Sequence, residues 1–154
     1  MPFWGWLEAT AVAQAVQGSL QATATLSAVH VAGMTIVAGS ALVSSLRLLG
    51  VLFPAAPAAE VTRAARRGLW VGLGLSVSTG TLLFAGRATA AVDNDFFRLK
   101  MALLAAAIAF HVGWYRRVLS ASGPVTARSR VSGAISLALW MGVVCAACAY
   151  ILLE

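Results

Sequence analysis

No Asp, Glu, Lys or Arg occurs between Glu8 and Arg47. As one helix the run from Ala9 to Leu46 would extend about 57 Å, against a hydrocarbon core of roughly 30 Å, so it must be divided. Residues near 3–17, with Trp4, Trp6, Glu8, Gln14 and Gln17, read as an interfacial amphipathic segment whose tryptophans lie at headgroup level. The remainder then forms a first membrane span over about 20–49. Three further apolar stretches follow, at about 68–85, 96–115 and 131–153. The sequence therefore predicts an all-α protein, a four-transmembrane-helix bundle with an N-terminal interfacial segment, built as a single integral membrane domain over 1–154.

Composition supports this class and excludes others. The 154 residues are 60% hydrophobic and 10% charged, and the mean hydropathy is +0.87. A net charge of +6 would suggest nucleic acid in a soluble chain, but here the arginines collect in two short loops and act as topology signals, so no nucleic-acid partner is expected. With no Lys or Arg before Arg47 and no cleavage pattern, the N-terminal segment is expected to be retained and not removed as a signal peptide. Cys145 and Cys148 are the two cysteines, both in the last span, which excludes a disulfide framework.

Charge asymmetry gives an orientation. The first loop carries Arg47, Arg63, Arg66 and Arg67, with Pro54 and Pro57 ending the preceding helix. The third loop carries Arg116, Arg117, Arg128 and Arg130. In the middle loop, Arg87, Arg98 and Lys100 are offset by Asp93 and Asp95. Loops one and three are therefore expected in the cytoplasm, with both termini, including Glu154, outside. Gly33 and Gly39 in the first span, and Gly68, Gly72, Gly74 and Gly80 in the second, are expected to let helix backbones approach closely.

The chemistry rests on two histidines. His30 lies in "LSAVHVAGM" and His111 in "AIAFHVGWYRR", both apolar settings. A single buried imidazole is commonly satisfied by hydrogen bonds to backbone or Ser/Thr groups. Two in one small bundle point to a site, because intramembrane ionisable groups usually mark one. Bis-histidine ligation of haem b by His30 and His111 is the leading expectation: each ring would give one nitrogen to iron and the other to a hydrogen bond. Arg98 and Lys100 would hold the haem propionates, although such residues also serve simply to anchor a helix at the headgroups. Depth counts from the two helix ends disagree. His111 lies five residues from Arg116, whereas His30 lies 17 from Arg47.

A copper site is the alternative. Met34 shares a helix face with His30, and Met141, Cys145 and Cys148 share a stripe of the last span, so imidazole, thioether and thiolate would suit Cu(I). Met and Cys are equally common as apolar packing residues. A second alternative is a cofactor-free structural subunit whose small-residue faces bind other membrane helices. No carboxylate pair, nucleophile with a base, or phosphate-binding glycine loop supports hydrolytic or transferase activity of its own, and electron transfer or service as a membrane subunit of a redox complex is the expected role. Membrane lipid is an expected partner, as is a homo-oligomer or a larger membrane complex.

Four stretches, "HVAGMTIVAGSALVSSLRLLG", "RGLWVGLGLSVSTGTLLFA", "FFRLKMALLAAAIAFHVGWYRR" and "SGAISLALWMGVVCAACAY", resemble an uncharacterised family of small four-helix bacterial inner-membrane proteins. That family is distantly similar to the membrane part of the copper resistance protein D group. The resemblance implies a four-helix bundle in a bacterial inner membrane, with His30 and His111 at the family's histidine positions. It implies no established activity.

Overall fold

A computed structural model describes residues 3–56, 58–115 and 126–152. Arg116, Arg117 and Glu154, used above to orient the chain, and Pro57, used to end the first span, lie outside the described residues. Seven helices are described: α1 (Phe3–Glu8), α2 (Ala11–Gln17), α3 (Leu20–Leu49), α4 (Ala58–Gly86), α5 (Ala88–Asp93), α6 (Asp95–Phe110), which runs on into a π-helical turn at His111–Tyr115, and α7 (Ala127–Leu152). Four of these elements are long and apolar enough to cross a membrane: 20–49, 59–86, 95–113 and 127–152.

Local chemistry explains where the helices start and stop. The division of the long uncharged run falls at Gly18–Ser19: Gly18 closes α2, and the Ser19 hydroxyl accepts from the Ala22 N–H to open α3. At its far end α3 stops on Gly50, in the left-handed region at φ 83°, whose N–H returns to Arg47 and Leu46 carbonyls. The Asn94 side chain caps α6 by accepting from Phe96 and Phe97 N–H at 2.9 and 3.2 Å. Thr126 and Ser129 exchange side-chain-to-backbone bonds at the start of α7.

Two boundaries differ from the sequence reading. α4 begins at Ala58 and not near Gly68, and α7 at Ala127 and not near Val131, so Arg63, Arg66, Arg67, Arg128 and Arg130 stand on helices instead of in loops. Hydropathy marks where apolar side chains begin, whereas the backbone follows propensity. The stretch "AAEVTRAARR" is rich in helix formers, with Glu60 favourably placed in the first turn.

The long helices form a row in the order α4, α3, α7, α6. Among the described residues no Cα of α4 lies within 8 Å of one in α6 or α7. The α3–α4 contact is made by glycines: a Cβ on Gly72 would stand 2.8 Å from the Gly33 carbonyl oxygen, and one on Gly33 would stand 2.6 Å from Ser76 Oγ. Gly133 does the same for α7 against α3, 2.8 Å from the Ser45 carbonyl oxygen. Gly39 and Gly74, expected in such contacts, have open space around them. Val37, Ala41, Leu69, Leu73, Ala107 and Trp140 bring all four helices to one core at mid-height.

Above that core α4 and α6 leave a gap. A row of rings crosses its end: Trp4 sits edge-on to Phe84 at 5.7 Å, Phe84 stacks on Phe97 at 5.4 Å, and Phe97 meets Tyr150 at 5.8 Å. Glu8 ties the N-terminal segment to the same end by accepting from the Thr89 N–H at 2.7 Å.

Candidate functional site

His30 faces the turn of α4 from Ser76 to Gly80. Its ring is seated directly on Gly80, where an added Cβ would stand 2.9 Å from Cε1. Nδ1 lies 2.9 Å from the Ser76 carbonyl oxygen and 3.2 Å from Thr79 Oγ1. The Thr79 hydroxyl spends its own proton on the Leu75 carbonyl at 2.7 Å, so both neighbours present acceptors to Nδ1. Nδ1 therefore carries the proton and donates. Nε2 keeps its lone pair, with no hydrogen-bond partner among the described residues.

That imidazole lines a cavity of about 840 Å³ in the gap between α4 and α6, within the range of about 300–1,000 Å³ common for small-molecule sites. The walls are mostly apolar. Met34 lies one turn along α3 from His30, Phe84 and Phe97 supply aromatic surface, Cys148 contributes from α7, and Lys100 and Arg87 bring positive charge. The site thus offers a neutral nitrogen ligand, two sulfur atoms and two cations within one apolar chamber.

The sequence candidates separate on this geometry. His30, Met34, Lys100 and Cys148 line the cavity; Arg98, His111, Met141 and Cys145 do not. Arg98 turns away, its Nε donating to the Val92 carbonyl at 2.6 Å and its guanidinium 3.6 Å from Asp95. On α7 the face that meets the cavity is Val144, Ala147, Cys148 and Ile151, and Met141 and Cys145 point elsewhere and are exposed.

His111 is buried at the other end of the bundle, its ring edge-on to Trp140 at 6.3 Å. It lines a separate pocket of about 520 Å³ with Arg66, Arg67, Trp70, Val71 and Val112. The α4 residues beside His30 and those beside His111 are about nine positions apart, or roughly 13 Å at helical rise. The two imidazoles are therefore not brought to one cavity. The disagreement between the two depth counts in the sequence reflects this difference in height.

Arg87, read from the sequence only as a middle-loop charge, and Phe84, Phe97 and Tyr150 were not expected at the site. The signal for the arginine lies in the short α5: a helix break after Gly86 turns the chain back over the cavity mouth and keeps Arg87 there.

The chain belongs to the family of unknown function DUF6644, whose pattern matches residues 3–152. No curated protein and no solved structure matches it. The match includes α1 and α2, so the N-terminal segment that packs over the cavity end is part of the family's pattern and not an appendage.

Proposed function

We propose that this protein binds haem b in the His30 cavity, where His30 Nε2 would hold the iron. The observation that carries the reading is the Nδ1 contact: a metal-ligating histidine characteristically donates its other N–H to a backbone carbonyl, and His30 Nδ1 lies 2.9 Å from that of Ser76. The chamber's size and apolar walls suit a macrocycle better than a bare ion, and Lys100 and Arg87 suit its two carboxylates. Bound there, haem iron would supply one-electron exchange, in line with a role in electron transfer or as a membrane subunit of a redox complex. His30 would hold the iron, Gly80 leaves room for the imidazole, and the aromatic row from Trp4 to Tyr150 would exclude water from that end.

His30 is the one imidazole lining this cavity. Bis-histidine ligation would need a second copy to supply the other ring. The charge distribution favours an orientation with the arginine-rich end in the cytoplasm, and a bacterial inner membrane is the setting that the family resemblance implies.

A copper site is the second reading, favoured by His30, Met34 and Cys148 sharing the cavity: imidazole, thioether and thiol are a donor set for Cu(I). The test for both is an optical spectrum of detergent-purified protein, oxidised and dithionite-reduced, with metal analysis of the same sample. A Soret band supports haem. A featureless spectrum with stoichiometric copper, lost in Cys148→Ala, would replace haem by copper.

A further inference from the structure

The pocket at the opposite end is unused by the proposed cofactor and has its own chemistry. Arg66 and Arg67 stand at its rim, with no ion-pair or hydrogen-bond partner among the described residues. Trp70, Val71 and Val112, all exposed, form its apolar wall, and His111 lies buried at its back. The residues come from α4 and from the π-helical turn after α6, two elements with no Cα pair within 8 Å among the described residues. The pocket is therefore a wedge-shaped gap between helices, cationic at one edge and apolar along its depth.

Charge balance argues that the gap takes an anion. Glu60 is the one acidic residue between Glu8 and Asp93, and none occurs between Asp95 and Glu154. This end nevertheless carries Arg63, Arg66, Arg67, Arg128 and Arg130. Among the described residues no carboxylate is placed to neutralise the two rim guanidiniums. Guanidinium groups bind phosphate oxygens with paired N–H donors, and basic pockets between membrane helices suit anionic headgroups. A small free anion would use the rim and leave the apolar wall unemployed, whereas a phospholipid uses both.

We propose that the Arg66–Arg67–Trp70 pocket is a binding site for an anionic phospholipid, the phosphodiester on the two guanidiniums and an acyl chain along Trp70, Val71 and Val112. Arg63 carries the same charge on the same helix but does not line the pocket, and so serves as the control.

The experiment is native mass spectrometry of the full-length, detergent-purified protein titrated with phosphatidylglycerol, phosphatidylcholine or inorganic phosphate. Phosphatidylglycerol is expected to bind about tenfold or more tightly than phosphatidylcholine, and Arg66→Gln/Arg67→Gln to bring it to the phosphatidylcholine level. Arg63→Gln is expected to leave binding within about twofold of wild type, because only rim charges make the paired contact. If the double variant loses helicity, Arg67→Gln alone, at an exposed position, carries the same comparison. Equal binding of both lipids would overturn the site. Displacement of the lipid by equimolar inorganic phosphate would make it a small-anion site instead. A loss in Arg63→Gln as large as in the double variant would reduce it to diffuse surface charge.

Discussion

The two histidine ends of this bundle are written in nearly the same words and built for different tasks. Both histidines are followed by valine in an apolar run, and both line a cavity that α4 also lines. At the His30 end the ring nitrogen is held by a backbone carbonyl and a threonine already committed as an acceptor, and the chamber beside it is large, apolar and walled by aromatic rings. At the other end the ring packs on Trp140 behind two arginines, in a smaller pocket beside exposed apolar side chains. The difference is made by the partner helix. Gly80 and Ser76 face one histidine and Arg66 and Arg67 line the pocket of the other, so the same residue in the same local setting is proposed as a ligand at one end and as the floor of a headgroup pocket at the other.

The comparison can be broken most severely at Gly80. Gly80→Leu drives a side chain into the space of the His30 ring, and loss of nearly all bound cofactor is expected while Arg66-dependent lipid binding stays. Absorbance per protein and lipid adducts, read on one preparation, check both halves of that statement. A smaller effect is expected from Gly72→Val, which meets the Gly33 carbonyl and costs about 1–3 kcal/mol of stability; Gly74→Val, in open space, costs close to none. Thermal unfolding in detergent separates the two, and equal losses would contradict the α3–α4 contact described here. The smallest expected effect sharpens the His30 end alone: Lys100→Gln weakens haem retention severalfold, on the order of 1 kcal/mol, whereas Arg98→Gln leaves it unchanged. Haem loss to apomyoglobin measures that ratio.

Much of the architecture was legible because hydropathy and spanning length are nearly sufficient for it. The four spans and the division of the long uncharged run follow from where charge is absent and from the length a span can have, and the structure puts that division at Gly18–Ser19. The start of α4 was not, since a charged helix extending past an apolar span has no hydropathy signature. At the site, His30 and Met34 were legible from their i, i+4 spacing. Arg98 and Lys100 were grouped together, yet two positions on a helix differ by about 200° in direction, so one of them had to face away. The stripe through Met141, Cys145 and Cys148 had the right period and the wrong phase: the cavity meets Val144, Ala147, Cys148 and Ile151. Which face of a uniformly apolar helix turns inward is set by its neighbours, and one sequence does not contain that contrast.

The central claim is that the two histidines serve separate sites and that His30 alone holds the cofactor. The most direct measurement is the reduced-minus-oxidised spectrum of His30→Ala and His111→Ala, purified in parallel and normalised to folded protein. The expected result is a Soret band abolished in His30→Ala and retained in His111→Ala. Loss of the band in both variants, with both still folded, would contradict the claim and put the two imidazoles on one iron.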